Sequence, residues 1–102
     1  MVLEVTDSMI DSLLSSDKVI VLDFWAEWCG PCRAYSPIVS QFAEEYGDIV
    51  VVGKVNVDEA SEISARYGIR NIPTTIVFKG GEVVNKVSGV VTKDKLKELV
   101  GL

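Results

Sequence analysis

The chain has 102 residues, 48% apolar and 25% charged, a balance that fits one domain over residues 1–102 and argues against a disordered or low-complexity chain. Ten basic against fifteen acidic residues leave a net charge of −5 with no basic run to neutralise phosphates, so no nucleic-acid partner is expected. Apolar runs such as Val19-Ile20-Val21-Leu22 and Ile49-Val50-Val51-Val52 stop far short of the ~20 residues that span a bilayer, which excludes a membrane helix. The stretch Met1 to Asp7 carries neither the basic nor the long apolar region of a signal peptide, so a reducing, cytoplasmic setting is expected.

Leu3-Glu4-Val5 alternates like a short strand. Thr6 or Asp7 can then cap a helix through Leu14 whose stripe is Met9, Ile10, Leu13 and Leu14. Val19 to Phe24 is a continuous β-branched and aromatic run, the pattern of a strand covered on both faces in an α/β sheet. It leads to Trp28-Cys29-Gly30-Pro31-Cys32, which holds both cysteines of the chain. From Cys29 to Tyr46 the apolar positions Ile38, Val39, Phe42 and Tyr46 recur at helical spacing, with Gly47 placed as a stop and Pro37 expected to bend the helix. Ile49 to Val57 reads as a second buried strand, followed by a short helix from about Ser61 to Tyr67 that ends at Gly68. Thr74 to Lys79 and Glu82 to Val87 flank Gly80-Gly81, a two-residue hairpin signal. Thr92 can cap a last helix that turns Leu96, Leu99 and Val100 inward. The order predicts an α/β fold: a mixed sheet of about five strands with about four helices on its two faces.

A Cys-x-x-Cys at a helix start places its side chains about one turn apart, within the ~4.4–6.8 Å Cα separation of a disulfide. The pair can open and close without rearranging the fold. Pro31 suits a first helical turn, and Gly30 allows a second backbone to approach. Cys29, at the helix mouth, faces free N–H groups and the positive end of the helix dipole, which stabilise a thiolate and mark it as the nucleophile. Cys32, one turn inward and expected to be more shielded, suits the resolving role.

Two other readings of the pair are weaker. A staple closing so short a loop stabilises by only roughly 2 kcal/mol, against ~3 for a fifteen-residue loop. A zinc or iron–sulfur site needs about four ligands, and two cysteines with no histidine supply such a site only across a dimer. Cys-x-x-Cys beside a βαβ pattern instead reads as a redox motif.

The run Asp23-Phe24-Trp25-Ala26-Glu27-Trp28-Cys29-Gly30-Pro31-Cys32 resembles the active-site signature of the thioredoxin family, and Ile72-Pro73-Thr74 is similar to its second signature. Order and spacing agree over essentially the whole chain. The resemblance implies the thioredoxin fold and a general protein disulfide reductase. Such a protein uses no bound cofactor, acts on disulfide-containing client proteins as a monomer, and is recycled by a thioredoxin reductase. Two alternatives stand beside it: a disulfide oxidase or isomerase, against which the Gly-Pro spacer speaks, and a non-catalytic binding subunit using the same apolar rim.

Further residues take roles from their setting and from this resemblance. Asp23 interrupts a strand covered on both faces, so burial should raise its pKa, and its place before Cys32 suits proton relay to that thiol. A strand-end carboxylate reaching water is the plain alternative. Lys54 interrupts the next strand and, by the family pattern, supports Asp23; otherwise it snorkels to the surface. X–Pro bonds are cis in only ~5–6% of cases, yet the resemblance implies a cis Pro73 lying against the cysteines. Ile72 is then free to pair with an extended substrate segment. Trp28, Gly30, Pro31, Ile72, Gly89 and Val90 would form an apolar rim around Cys29, while packing alone accounts for Trp25. Arg33-Ala34-Tyr35-Ser36 and Asn71 depart from common family residues and bear on rim shape and partner choice, not on thiol chemistry.

Overall fold

A computed structural model describes residues 1–102. Five strands form one sheet in the order β1-β3-β2-β4-β5: β1 (Leu3–Glu4), β2 (Val19–Trp25), β3 (Val50–Asn56), β4 (Thr74–Lys79) and β5 (Glu82–Ser88). The first three pair in parallel, and β4 and β5 run antiparallel, so the sheet is mixed as expected. The helices are α1 (Ile10–Leu14), α2 (Gly30–Tyr46), α3 (Ser61–Arg66) and α4 (Lys93–Leu99), none of them long and apolar enough to cross a membrane.

The period-two alternation of β2 divides the core. Ile20, Leu22 and Phe24 face one layer with Ile10 and Ile63, while Val21 faces the other with Tyr35, Val39, Phe42 and Leu96. Asp23, two residues beyond Val21, therefore points toward the α2 side. Buried apolar side chains on both faces explain why β2 reads as an unbroken apolar run apart from that carboxylate.

Local features meet the sequence expectation at some positions and depart from it at others. Residues Asp7–Met9 form a single 3-10 turn before α1, and Thr6 makes no side-chain cap there. Asp7 instead accepts hydrogen bonds from the backbone N–H groups of Glu62 and Ile63, at 3.3 and 2.9 Å, and so caps α3 from across the fold. Gly47 ends α2 with φ −61°, an ordinary helical value; a Cβ there would run into the carbonyl oxygen of Ala43, which is the reason for glycine. The helix continues unbroken through Pro37. Gly80 and Gly81 both take positive φ, 61° and 80°, as a two-residue turn between twisted strands requires. Thr92 caps α4 through a 3.1 Å bond from the Lys95 N–H.

Candidate active site

β2 and β3 are parallel, so their ends deliver residues to the same sheet edge, and α2 begins there. Cys29 is the N-cap of α2, with extended backbone at φ −90° and ψ 110°, and Pro31 lies in the first turn. The backbone N–H of Cys32 points at Cys29 Sγ at 3.2 Å, the arrangement that stabilises negative charge on that sulfur. Cys29 and Cys32 are joined as a disulfide with a Cα separation of 5.3 Å. Whole-residue exposure is nearly equal, 5% and 3%, so the expected stronger shielding of Cys32 is slight in this oxidised form. The difference between the two lies in surroundings: Cys29 holds the cap position, and its Sγ sits 3.7 Å from the carbonyl oxygen of Ile72.

Around Cys29 the rim is partly tied down. Trp28 is 67% exposed, and its indole Nε1 donates to Asp58 at 2.9 Å. Arg33 donates from Nε and a terminal nitrogen to the carbonyl of Glu27, at 3.3 and 3.1 Å, fixing the segment that carries Trp28 to the first turn of α2. The Ile72–Pro73 peptide bond is cis. The Pro73 carbonyl accepts the Gly89 N–H at 2.8 Å, and Gly89 holds φ 93°, open to glycine and strained for other residues. Val90 follows it, exposed, and Gly30 and Pro31 are exposed as well. Trp25, Val57 and Ile72 pack around the cysteine pair and Ala26.

On β2, Asp23 is 5% exposed, and its Oδ1 is buried without a hydrogen-bond partner. Burial pushes its carboxyl up from 3.8 to about 7, against the opposing pull of the Lys54 ammonium. Asp23 and Lys54 are register partners on β2 and β3, and Lys54 Nζ lies 5.2 Å from the Trp25 ring centroid. A cavity of about 40 Å³ borders both, lined also by Val39, Ser36 and Ser40 of α2. Trp25 is thus more than packing, since its ring also seats the Lys54 ammonium.

The fold brings Cys29, Cys32 and Ile72 together; Asp23 and Lys54 are partners on the two central strands, and Gly89 bonds to Pro73. Asp58 and Tyr35 carry no motif in the sequence. Asp58 could have been anticipated from its place just past β3, which ends at the same edge as β2. Tyr35 is fully buried, and its hydroxyl bonds Thr75 Oγ1 at 2.8 Å. Its spacing of three from Cys32, on the same helix face, is the signal that marks it.

The thioredoxin family model matches residues 1–101. The chain is 46% identical over 96 residues to "Thioredoxin 1" of Nostoc sp., covering 93% of this chain and 90% of that protein. It is 45% identical over 92 residues to a thioredoxin of Alicyclobacillus acidocaldarius, covering 90% and 88%. To a thioredoxin of Porphyra purpurea it is 47% identical over 95 residues, covering 92% and 89%. A closed Cys29–Cys32 pair at a helix mouth can accept two electrons and return them by thiol–disulfide exchange. With that chemistry, this five-stranded mixed sheet and these relatives, the chain belongs to the thioredoxin family and is a thiol–disulfide oxidoreductase.

Proposed function

We propose that this protein is a general reductant of protein disulfides in which Cys29 attacks and Cys32 resolves. The observation that carries the assignment is the N-cap geometry: the Cys32 N–H reaches Cys29 Sγ at 3.2 Å, and no equivalent donor reaches the Cys32 sulfur. The Cys29 thiolate attacks one sulfur of a client disulfide. That S–S bond breaks, the departing client thiolate takes a proton, and Cys29 is left in a mixed disulfide. The Cys32 thiol gives its proton to the Asp23 carboxylate and attacks Cys29 Sγ. The second client thiolate departs, and the Cys29–Cys32 disulfide remains. Two electrons have passed to the client.

Asp23 suits the base because its titration falls near neutrality, where it can both take and return a proton. Lys54 keeps the ionised form accessible, and the polar cavity beside both residues gives the carboxyl a path for exchange with solvent. The exposed Trp28 and Val90, with the Ile72 backbone, form the surface against which an extended client segment lies. Gly30 and Pro31 leave the approach to Cys29 low, since nothing lies within 4 Å of a Cβ built at Gly30. A thioredoxin reductase returns the dithiol, and the protein works as a monomer in the cytoplasm.

The test is a reduction assay on a disulfide-bonded protein, paired with a redox titration. Cys29→Ser should abolish turnover, and the Cys29–Cys32 couple should have a potential more negative than about −230 mV. A potential nearer about −180 mV or above would instead favour an oxidase or isomerase. Function that survives Cys29→Ser would favour a binding subunit.

A further inference from the structure

Tyr35 and Thr75 form a polar pair inside an apolar layer. Tyr35 is 0% and Thr75 1% exposed, and the neighbours of Tyr35 in that layer are Val21, Val39, Phe42 and Val77. A pair of hydroxyls in such a place contributes little net stability, since two apolar groups of the same shape would do nearly as well. Their position suggests a use. Thr75 is the register partner of Asp23 across the antiparallel β2–β4 ladder, so the two side chains stand side by side on one face of the sheet. Tyr35 reaches the same face from α2, one turn beyond Cys32.

Counting protons sharpens the relationship. The two hydroxyls carry two hydrogens, and the 2.8 Å bond between them uses one, whichever oxygen donates. One O–H remains to be placed, and on the register partner of Thr75 a buried carboxylate oxygen, Asp23 Oδ1, lacks a partner. We propose that Tyr35 and Thr75 are positioning residues for Asp23, their spare O–H turning to the carboxylate when it ionises, so that Asp23 can accept the Cys32 proton at neutral pH. This builds on the assignment of Asp23 as the base for Cys32. Neither hydroxyl gives up its proton in the step, which moves only from Cys32 to Asp23.

Tyr35 is suited to this. Burial, and after it the neighbouring Asp23 charge, push the phenol up to about 12 even against its bond to Thr75, so it stays a neutral donor throughout the range in which the thiols react. The other charged group facing Asp23 is Lys54 from β3; Ser36 and Ser40 of α2 add uncharged hydroxyls at the cavity.

The test is a carbon-13 NMR titration of the Asp23 carboxyl in the oxidised wild-type protein and in Tyr35→Phe, Thr75→Val, Thr75→Ser and the Tyr35→Phe/Thr75→Val double variant. The double variant loses every donor of the pair, and its midpoint should rise by about 0.5 to 1 pH unit. Tyr35→Phe and Thr75→Val each keep one O–H free to turn to the carboxylate, so each should move less than the double variant. Thr75→Ser keeps the hydroxyl and should titrate like wild type. A double-variant midpoint that stays within about 0.2 pH unit of wild type, or that falls, would overturn the proposal. So would a Thr75→Ser shift as large as that of the double variant. The titration reads Asp23 itself, so its outcome is separate from whether Asp23 serves Cys32, which the kinetics of Asp23→Asn decide.

Discussion

Asp23 and Lys54 stand opposite each other on the two central parallel strands, and the Lys54 ammonium offsets part of the burial that lifts the Asp23 carboxyl to about 7. Removing that ammonium leaves burial unopposed. Lys54→Met should therefore raise the Asp23 midpoint by about 1 pH unit or more and shift the pH profile of client release upward by the same amount. Stopped-flow kinetics of mixed-disulfide resolution across pH 5.5–9 would show it. An unmoved profile would separate Lys54 from the chemistry.

Replacing the carboxyl with an amide tests Asp23 in two ways. Asp23→Asn should slow resolution by Cys32 by about 10²-fold at neutral pH, while the first attack by Cys29 keeps most of its rate. Its stability effect has a definite sign. Below 3.8 the carboxyl is protonated in both folded and unfolded chains; from 3.8 to about 7 only the folded chain holds the proton, so wild-type stability falls as pH rises through that window. The full difference is roughly 4 kcal/mol at 1.36 kcal/mol per pH unit. Asp23→Asn lacks this term, so it should gain on wild type by up to that amount above pH 7 and lose the advantage near pH 4. Urea unfolding of the oxidised proteins at the two pH values measures it.

Much of this arrangement is written in local sequence. The unbroken apolar run of β2 signals a strand covered on both faces, the Gly80-Gly81 pair marks the hairpin, and the cysteine spacing at a helix mouth marks the reacting sulfurs. Asp23 stands out because a carboxylate in such a strand has nowhere to go but inward. What local pattern does not carry is contact at long range. Asp7 looks like the cap of its own helix and instead caps α3, more than fifty positions away, because the fold carries that helix start to it. The Tyr35–Thr75 bond joins α2 to β4 across forty positions, and neither residue has a motif. The near-equal burial of the two cysteines also follows from the tertiary environment, in which Trp25, Val57 and Ile72 cover both.

The Trp28 indole is held by one hydrogen bond to Asp58, on a ring that is otherwise mostly in solvent. Asp58→Ala frees the ring without touching the sulfurs. The KM for a protein disulfide should rise about 5-fold, the equivalent of ~1 kcal/mol, while reduction of a small aromatic disulfide is unchanged. Equal losses on both substrates would mean that Asp58 acts on the thiols and not on the rim.

The most direct test of an asymmetric dithiol is capture of its intermediate. Cys32→Ser, reduced and mixed with a disulfide-bonded protein, should accumulate a covalent complex through Cys29, located by mass spectrometry and released by dithiothreitol. Cys29→Ser under the same conditions should form none. Comparable capture through Cys32 in the Cys29→Ser protein would contradict the assignment of Cys29 as the attacking sulfur.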